Sequence, residues 1–309
     1  MRDFSKAIRT RQWAKNVLLF AGFIFAGRLR LAGPNLATEL TSVILAFMCF
    51  CALSSAAYLL NDWCDIERDR LHPVKKNRPL AAGRISKQSA ATIIGVCAVT
   101  AVICGFYIVK NQQKAENFVY AAIAYFLLTN AYSFALKNIV IVDVLTLAAG
   151  FVVRVVAGCL AVPVTISPWI IFCTFCVALF IALCKRRAEL MELGANSGTR
   201  AALSAYSLEI LNPFIAIAAG LTITAYSLYT FSAFNASGPQ SSTALSPVFH
   251  DKPLMMTTIP FVVYGVFRYL LLAYSTPVGG EPENMLRDRP FMVNVILWAV
   301  LVSALTLLS

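Results

Sequence analysis

Long apolar runs separated by short polar stretches fill the chain from residue 16 to its end. Nine of them are roughly 17 residues or longer, enough to cross a ~30 Å hydrocarbon core as helices. They lie at about 16–33, 40–60, 90–109, 117–135, 139–162, 168–184, 208–232, 254–273 and 291–309. Inside a bilayer the backbone finds no water to bond, so such runs cross as helices that satisfy their own polar groups. The first run is the weakest, because Lys15 and Arg28 bracket a short apolar core. The pattern predicts an all-α integral membrane protein with about nine transmembrane helices, in a single polytopic domain over 1–309. No stretch reads as a soluble domain or a low-complexity linker.

Composition strengthens this picture. Hydrophobic residues make up 59% of the chain and charged residues only 13%, and the mean hydropathy is +0.72, all outside the soluble range. No A-x-A-type cleavage site follows the basic N-terminus, so no cleavable signal peptide is expected. With nine spans, twenty Lys and Arg residues fall on the side of the N-terminus and five on the other. That asymmetry predicts a cytoplasmic N-terminus by the positive-inside rule. The net charge of +11 sits in short loops between spans, which favours anionic lipid or an anionic substrate and argues against nucleic acid. The nine cysteines lie mostly within spans and form no disulfide or zinc framework; Cys173-x-x-Cys176 lacks a second pair. Loop 233–253 is polar and carries Asn235-Ala236-Ser237, a formal glycosylation sequon with no function attached to it.

One stretch breaks the apolar pattern sharply. Asn61-Asp62-Trp63-Cys64-Asp65-Ile66-Glu67-Arg68-Asp69 closes the second run, and Lys75, Lys76 and Arg78 follow. If that helix continues past Leu60, Tyr58, Asp62, Asp65 and Asp69 fall within roughly 60° of one another, with Asn61 beside them. Carboxylates so close repel unless a cation joins them. Mg²⁺ fits, since it takes oxygen ligands and bridges one or two carboxylates to substrate phosphates. The plainer alternative is a solvated helix end whose acids pair with Arg68, Arg70 or Lys75. The charge asymmetry of the loops places the motif on the cytoplasmic side, with the N-terminus.

Further polar positions gather there. Tyr132 and Lys137 end the fourth run, and Asp143 enters the fifth, where a lone acid is costly and marks a functional position. Arg154 lies on nearly the same helix face as Asp143, about 16 Å further along; it either snorkels or holds an anionic group. Arg9, Arg11 and Lys15 precede the first run, with Trp13 placed to anchor at the interface. Lys185-Arg186-Arg187-Ala188-Glu189-Leu190 closes the sixth run. Each cluster alone is explicable by topology; together they are what a diphosphate-bearing substrate needs.

Asn61-Asp62-x-x-Asp65-x-x-x-Asp69 resembles the N-D-x-x-D-x-x-x-D signature of the UbiA-type membrane prenyltransferase superfamily. Typical members carry a second aspartate-rich motif after the sixth span, where this chain reads Lys185–Leu190 instead. Arg11-Gln12-Trp13-x-Lys15-Asn16, Tyr132-x4-Lys137-x5-Asp143, the Lys-Arg-Arg-x-Glu-Leu run and Tyr264-Gly-x-Phe-Arg268-Tyr269 resemble the decaprenyl-phosphate phosphoribosyltransferase branch. The resemblance implies a UbiA-like helical bundle in a bacterial inner (plasma) membrane, with its active site facing the cytoplasm. It implies transfer of 5-phosphoribose from phosphoribosyl diphosphate (PRPP) to a polyprenyl phosphate, with Mg²⁺ as cofactor.

By the same resemblance, Asn61 and Asp65 hold the metal, with Asp62 and Asp69 as ligands through water or as supports. Asp62, Asp65 and Lys137 are the expected catalytic residues. Lys15, Tyr58, Lys75, Arg78 and Tyr132 contact substrate; Lys137 and Arg154 take the remaining phosphates. Lys185, Arg186 and Arg187 stand in for the second metal, and Asp143 orients Lys137 or the ribose hydroxyls. The expected partners are the two substrates and membrane lipids; a homo-oligomer is compatible with the sequence. Two other readings remain open here: a prenyltransferase acting on an aromatic or tetrapyrrole acceptor, and a transporter for an anionic lipid with Asp143 and Arg154 on its path.

Overall fold

The structure, a computed structural model, describes residues 2–25, 35–71, 75–112, 115–193, 201–235, 253–275, 285 and 287–308. Among them every regular element is helical. The long helices are α1 (Leu36–Cys64), α2 (Lys87–Asn111), α3 (Glu116–Phe134), α4 (Val142–Leu160), α5 (Pro168–Leu193), α6 (Leu208–Asn235), α7 (Ile259–Ser275) and α8 (Arg289–Leu308). Among the described residues, six stretches are long and apolar enough to cross a membrane: α1, α2, α4, Pro168–Glu192, Leu208–Phe231 and Leu254–Ser275. A shorter apolar stretch, Arg289–Leu305, lies in α8. Helix α3 occupies the fourth predicted run but is more polar, with Asn117, Thr129, Asn130 and three tyrosines along it.

The first predicted run takes a different form. Thr10–Phe20 is a 3₁₀ helix followed by a short α-helix, Ala21–Phe25; the rest of that run, and loop residues 236–252, lie outside the described residues. The reason for the departure is lateral attachment. Trp13 Nε1 donates to Ser55 Oγ on α1 at 3.0 Å, and Ser55 Oγ donates to the Ile8 carbonyl at 2.8 Å. The segment is bonded sideways to α1 rather than standing as a free spanning helix. Trp13, expected at the lipid interface, is partly buried and tied to α1 through Ser55.

The chain folds into two compact units. The first is built from described residues of Met1–Phe23, Ala32–Phe134 and Val153–Val164. Its centre is α1: 61% of that helix's apolar stretch is buried, against 17% for α2. Small residues (Ser54, Ser55, Ala56, Ala57) let neighbours approach α1 closely. Phe50 stacks with Tyr125 at 4.8 Å and Phe118 at 6.1 Å between ring centroids. Helix α2 instead exposes Val96, Val99, Val102, Ile103 and Phe106, an apolar face suited to lipid.

Gly158 marks the tightest crossing of this unit. A Cβ there would lie 2.0 Å from the Leu19 carbonyl oxygen, which is backbone and cannot swing away. Gly158→Ala is therefore expected to cost about 1–3 kcal/mol, read as a lowered thermal midpoint of the detergent-solubilised protein. Gly105→Ala, where a Cβ meets nothing within 4 Å, should be neutral or stabilising. Equal midpoints for the two variants would remove the close approach from the account.

The second unit comprises described residues of Ile24–Leu31, Ala135–Val152 and Thr165–Ser309. Helices α5 and α6 pack along each other over a core that includes Phe180, Leu183, Leu211 and Ile215. Arg187 ties three helices together. It lies 3.9 Å from the Tyr274 ring centroid and donates to Asn212 Oδ1 at 3.1 Å and to the Ala273 carbonyl at 3.0 Å. Arg268 of α7 pairs bidentately with Asp288 at 3.0 and 2.8 Å. Asp288 Oδ1 also accepts from Phe291 N at 2.9 Å, capping α8. These bonds to Arg268 hold the Asp288 carboxyl below the usual carboxylate range.

Candidate active site

The first unit carries the acidic motif. Asp62, at the end of α1, is 3% exposed and sits between two arginines. Arg9 Nη2 approaches its Oδ1 to 2.6 Å and Arg78 Nη1 to 2.9 Å. The same Arg78 nitrogen reaches Asp69 Oδ2 at 2.7 Å. One guanidinium thus joins two buried carboxylates, and a second tops the first. Arg9 also lies 4.6 Å from the centroid of the Tyr58 ring. It holds this place with a left-handed backbone, φ 51°, a conformation uncommon for residues other than glycine.

Asp65 stands apart from this network. Helix α1 ends at Cys64, and Asp65 has φ −96° and ψ 10° before a short helix, Ile66–Leu71, resumes. Its carboxylate is partly exposed and pairs only loosely with the exposed Arg68, at 3.8 Å. Beside it, Asn61 Oδ1 is buried with no hydrogen-bond partner. A buried acceptor left without a donor is costly. Asn61 and Asp65 therefore fit a divalent cation: a neutral oxygen with no donor and a carboxylate with little to hold it. Asp62 and Asp69 are neutralised by arginine.

Elsewhere in the same unit Arg154 is buried. Its Nε donates to Asn16 Oδ1 at 2.9 Å and its Nη2 to Tyr125 Oη at 2.8 Å. Asn16, fully buried, in turn donates to Cys51 Sγ at 3.3 Å and Ser54 Oγ at 3.5 Å.

The second unit holds its own charged cluster. Asp143, 1% exposed in the first turn of α4, lies 3.2 Å from Arg186 Nε, itself 1% exposed. The contact is too bent to be a hydrogen bond, so it acts as a close ion pair. Arg186 also pairs with Glu189 one turn along α5, and Lys185 lies 3.9 Å from Glu189. Tyr206 Oη donates to Asp143 Oδ1 at 2.8 Å and accepts from Ile141 N at 2.8 Å.

The UbiA prenyltransferase family model matches residues 19–192. The chain belongs to that family. Its resemblance to whole relatives is broader still. It is 31% identical over 300 residues to the decaprenyl-phosphate phosphoribosyltransferase of Mycolicibacterium smegmatis, covering 95% of this chain and 89% of that one. The enzyme of the same name from Mycobacterium tuberculosis is 30% identical over 304 residues, covering 97% and 92%. This UbiA-family chain is accordingly a transferase. A UbiA homolog from Archaeoglobus fulgidus bound to GPP and Mg²⁺ shares the fold, with a TM-score of 0.69 over 98% of this chain and 99% of that one at 16% identity.

Several sequence expectations change against this geometry. The three aspartates do not converge into one metal cage: among the described residues no three His, Cys, Asp or Glu side chains could hold a metal ion. The assumption of an unbroken helix fails at Asp65, and Arg78, expected on substrate, occupies the space between Asp62 and Asp69. Arg186, also expected on substrate, is enclosed by Asp143 and Glu189. Arg187 is engaged with Tyr274, Asn212 and Ala273. Asp143, expected as a lone acid, lies in the first turn of α4 and is partnered by Arg186 and Tyr206. Lys15 donates to Gln12 Oε1, while Lys75 and Lys137 sit on short 3₁₀ turns, Lys75–Asn77 and Leu136–Asn138. Tyr132 lies in the last turn of α3. Tyr206, a tyrosine in a loop, carries no signal in the sequence, and Arg9, expected among the basic residues that meet substrate, is instead paired with Asp62.

Proposed function

We propose that the protein transfers 5-phosphoribose from PRPP to a polyprenyl phosphate at the cytoplasmic face of a bacterial inner membrane, releasing diphosphate with Mg²⁺ bound. The observation that carries this reading is the pair Asn61 and Asp65, a buried orphan oxygen beside a weakly held carboxylate, in a family whose solved members bind Mg²⁺. The names of relatives along nearly the whole chain support the sugar donor and the lipid acceptor. The charge asymmetry of the loops supports nine crossings with a cytoplasmic N-terminus.

In the reaction, the C1–O bond to diphosphate breaks and its electron pair leaves with the diphosphate. An oxygen of the lipid phosphate forms the new bond at C1. That oxygen is already anionic at neutral pH, so no general base is needed. Asn61 and Asp65 would hold Mg²⁺, which would supply positive charge to offset that developing on the leaving diphosphate. Arg9 and Arg78 keep Asp62 and Asp69 neutralised, so the motif does not repel an incoming polyphosphate. Lys15, Tyr58, Lys75 and Tyr132 bind the donor, and Lys137 stabilises the charge on its phosphates. The buried Arg154, held by the neutral groups of Asn16 and Tyr125, takes the acceptor phosphate. Held in line on opposite sides of C1, the reactants give inversion there.

Two donor and acceptor pairs test the proposal in parallel: labelled PRPP with a polyprenyl phosphate, and a prenyl diphosphate with aromatic acids. Product from the first pair alone is expected; product from the second alone would move the chain to prenyl transfer. Lys137→Ala is expected to lower kcat/KM for PRPP by about a hundred-fold with the lipid's KM unchanged. Unchanged PRPP kinetics would return Lys137 to a topological role.

A further inference from the structure

The start of α4 is strained, and one phenol holds it. Ile141 has φ 68°, a left-handed conformation that is a genuine outlier for a β-branched residue. Val142 N donates to the Val140 carbonyl at 2.8 Å across it, closing a γ-turn of the rare, strained hand. Strain of this kind costs about 1–3 kcal/mol and persists only where surrounding structure enforces it. Tyr206 bonds to this turn at two points. Its hydroxyl accepts from the Ile141 amide and donates to Asp143 Oδ1, both at 2.8 Å. The phenol is 4% exposed. Burial, then the neighbouring Asp143, push its pKa up to about 12, so it stays a donor to Asp143 throughout the physiological range.

The strained turn directly follows Leu136–Asn138, the 3₁₀ turn that carries Lys137. Ile139 N bonds back to the Leu136 carbonyl at 3.2 Å, and Asp143 N bonds to the Ile139 carbonyl at 3.0 Å. The Lys137 turn and the Asp143 helix are therefore linked by an unbroken set of backbone bonds. The short helix Ala201–Ser204, immediately before Tyr206, lies against the same turn. Arg186 of α5, itself paired with Glu189, is a second partner of Asp143.

We infer that Tyr206 is a positioning residue: its hydroxyl clamps Ile141 in the left-handed conformation and so sets where Lys137 presents its ammonium group. The inference rests on the phosphoribosyl-transfer reading for Lys137's role, but the clamp itself is a property of the backbone.

The test is a double-mutant cycle on the full-length protein in detergent or lipid. Tyr206→Phe keeps the ring and removes only the hydroxyl. It is expected to lower kcat/KM for PRPP about ten-fold, by analogy with the loss of one positioned polar contact, with KM for the polyprenyl phosphate unchanged. In a Lys137→Ala background the same change should cost less than two-fold, because it acts through Lys137. Ile141→Gly, which tolerates φ 68° without a Cβ, should restore part of the loss in Tyr206→Phe. Equal losses in both backgrounds would overturn the positioning role, since a merely structural tyrosine harms both alike. Hydrogen exchange at the Ile141 amide is independent of turnover. It should speed up at least ten-fold in Tyr206→Phe, and unchanged exchange would overturn the clamp. If wild-type protein transfers nothing from PRPP, the functional reading fails while exchange still decides the clamp.

Discussion

Replacing Asp65 with alanine is expected to lower phosphoribosyl transfer about a thousand-fold, near 4 kcal/mol of transition-state stabilisation, without unfolding the protein. The two halves of that expectation have different sources. Stability is spared because Asp65 is partly exposed and its ion-pair partner among the described residues, Arg68, is 3.8 Å away and almost wholly exposed. Such a pair contributes little. Activity is lost because Asp65, unlike Asp62 and Asp69, has no close arginine partner and lies beside the orphan oxygen of Asn61. The variant should keep the wild-type thermal midpoint to within a few degrees and lose its response to added Mg²⁺. Near-normal turnover at saturating Mg²⁺ would remove Asp65 from the metal site. Asn61→Ala should act in the same direction on activity.

The opposite balance is expected at Arg78. Its guanidinium is the common partner of Asp62 and Asp69, whose side chains are each 4% exposed. Arg78→Ala leaves two buried like charges with one cation, Arg9, on Asp62 alone. Removing one partner of a buried ion pair costs about 3 kcal/mol or more, chiefly through the charge left behind. The thermal midpoint should fall markedly, and activity with it. Asp69→Asn in that background removes one of the uncompensated charges and should recover much of the stability. If the double variant is no more stable than Arg78→Ala, the carboxylates are not repelling each other and the network is misassigned.

The contrast between these two sites shows what the sequence could and could not disclose. The apolar runs and the acidic motif are local, so hydropathy and residue spacing located α1 to α8 and the motif that follows α1's apolar stretch. The division of labour within the motif is not local. Arg9 meets Asp62 across 53 positions and Tyr206 meets Asp143 across 63, and no periodicity links residues so far apart. The break at Asp65 was hidden because its neighbours Trp63, Cys64 and Ile66 carry no turn signal; no Gly or Pro marks it. The 3₁₀ form of Thr10–Phe20 depends on Ser55, and on close approach of Leu19 to Gly158, both contacts made by folding. Arg186 looked like an available cation since an Lys-Arg-Arg run at a helix end is usually solvated. Its burial follows from Asp143, whose own cost of burial it offsets.

In the proposed reaction the motif at Asn61–Asp69 grips a sugar diphosphate and the lipid arrives as the nucleophile. PRPP carrying one label in the ribose and another in its diphosphate tests this most directly, with purified protein, polyprenyl phosphate and Mg²⁺. The ribose label is expected to pass to the lipid fraction while the diphosphate label is released to water in equal amount, and both should stop when Mg²⁺ is chelated. Both labels appearing together in the lipid, or neither leaving PRPP, would contradict it.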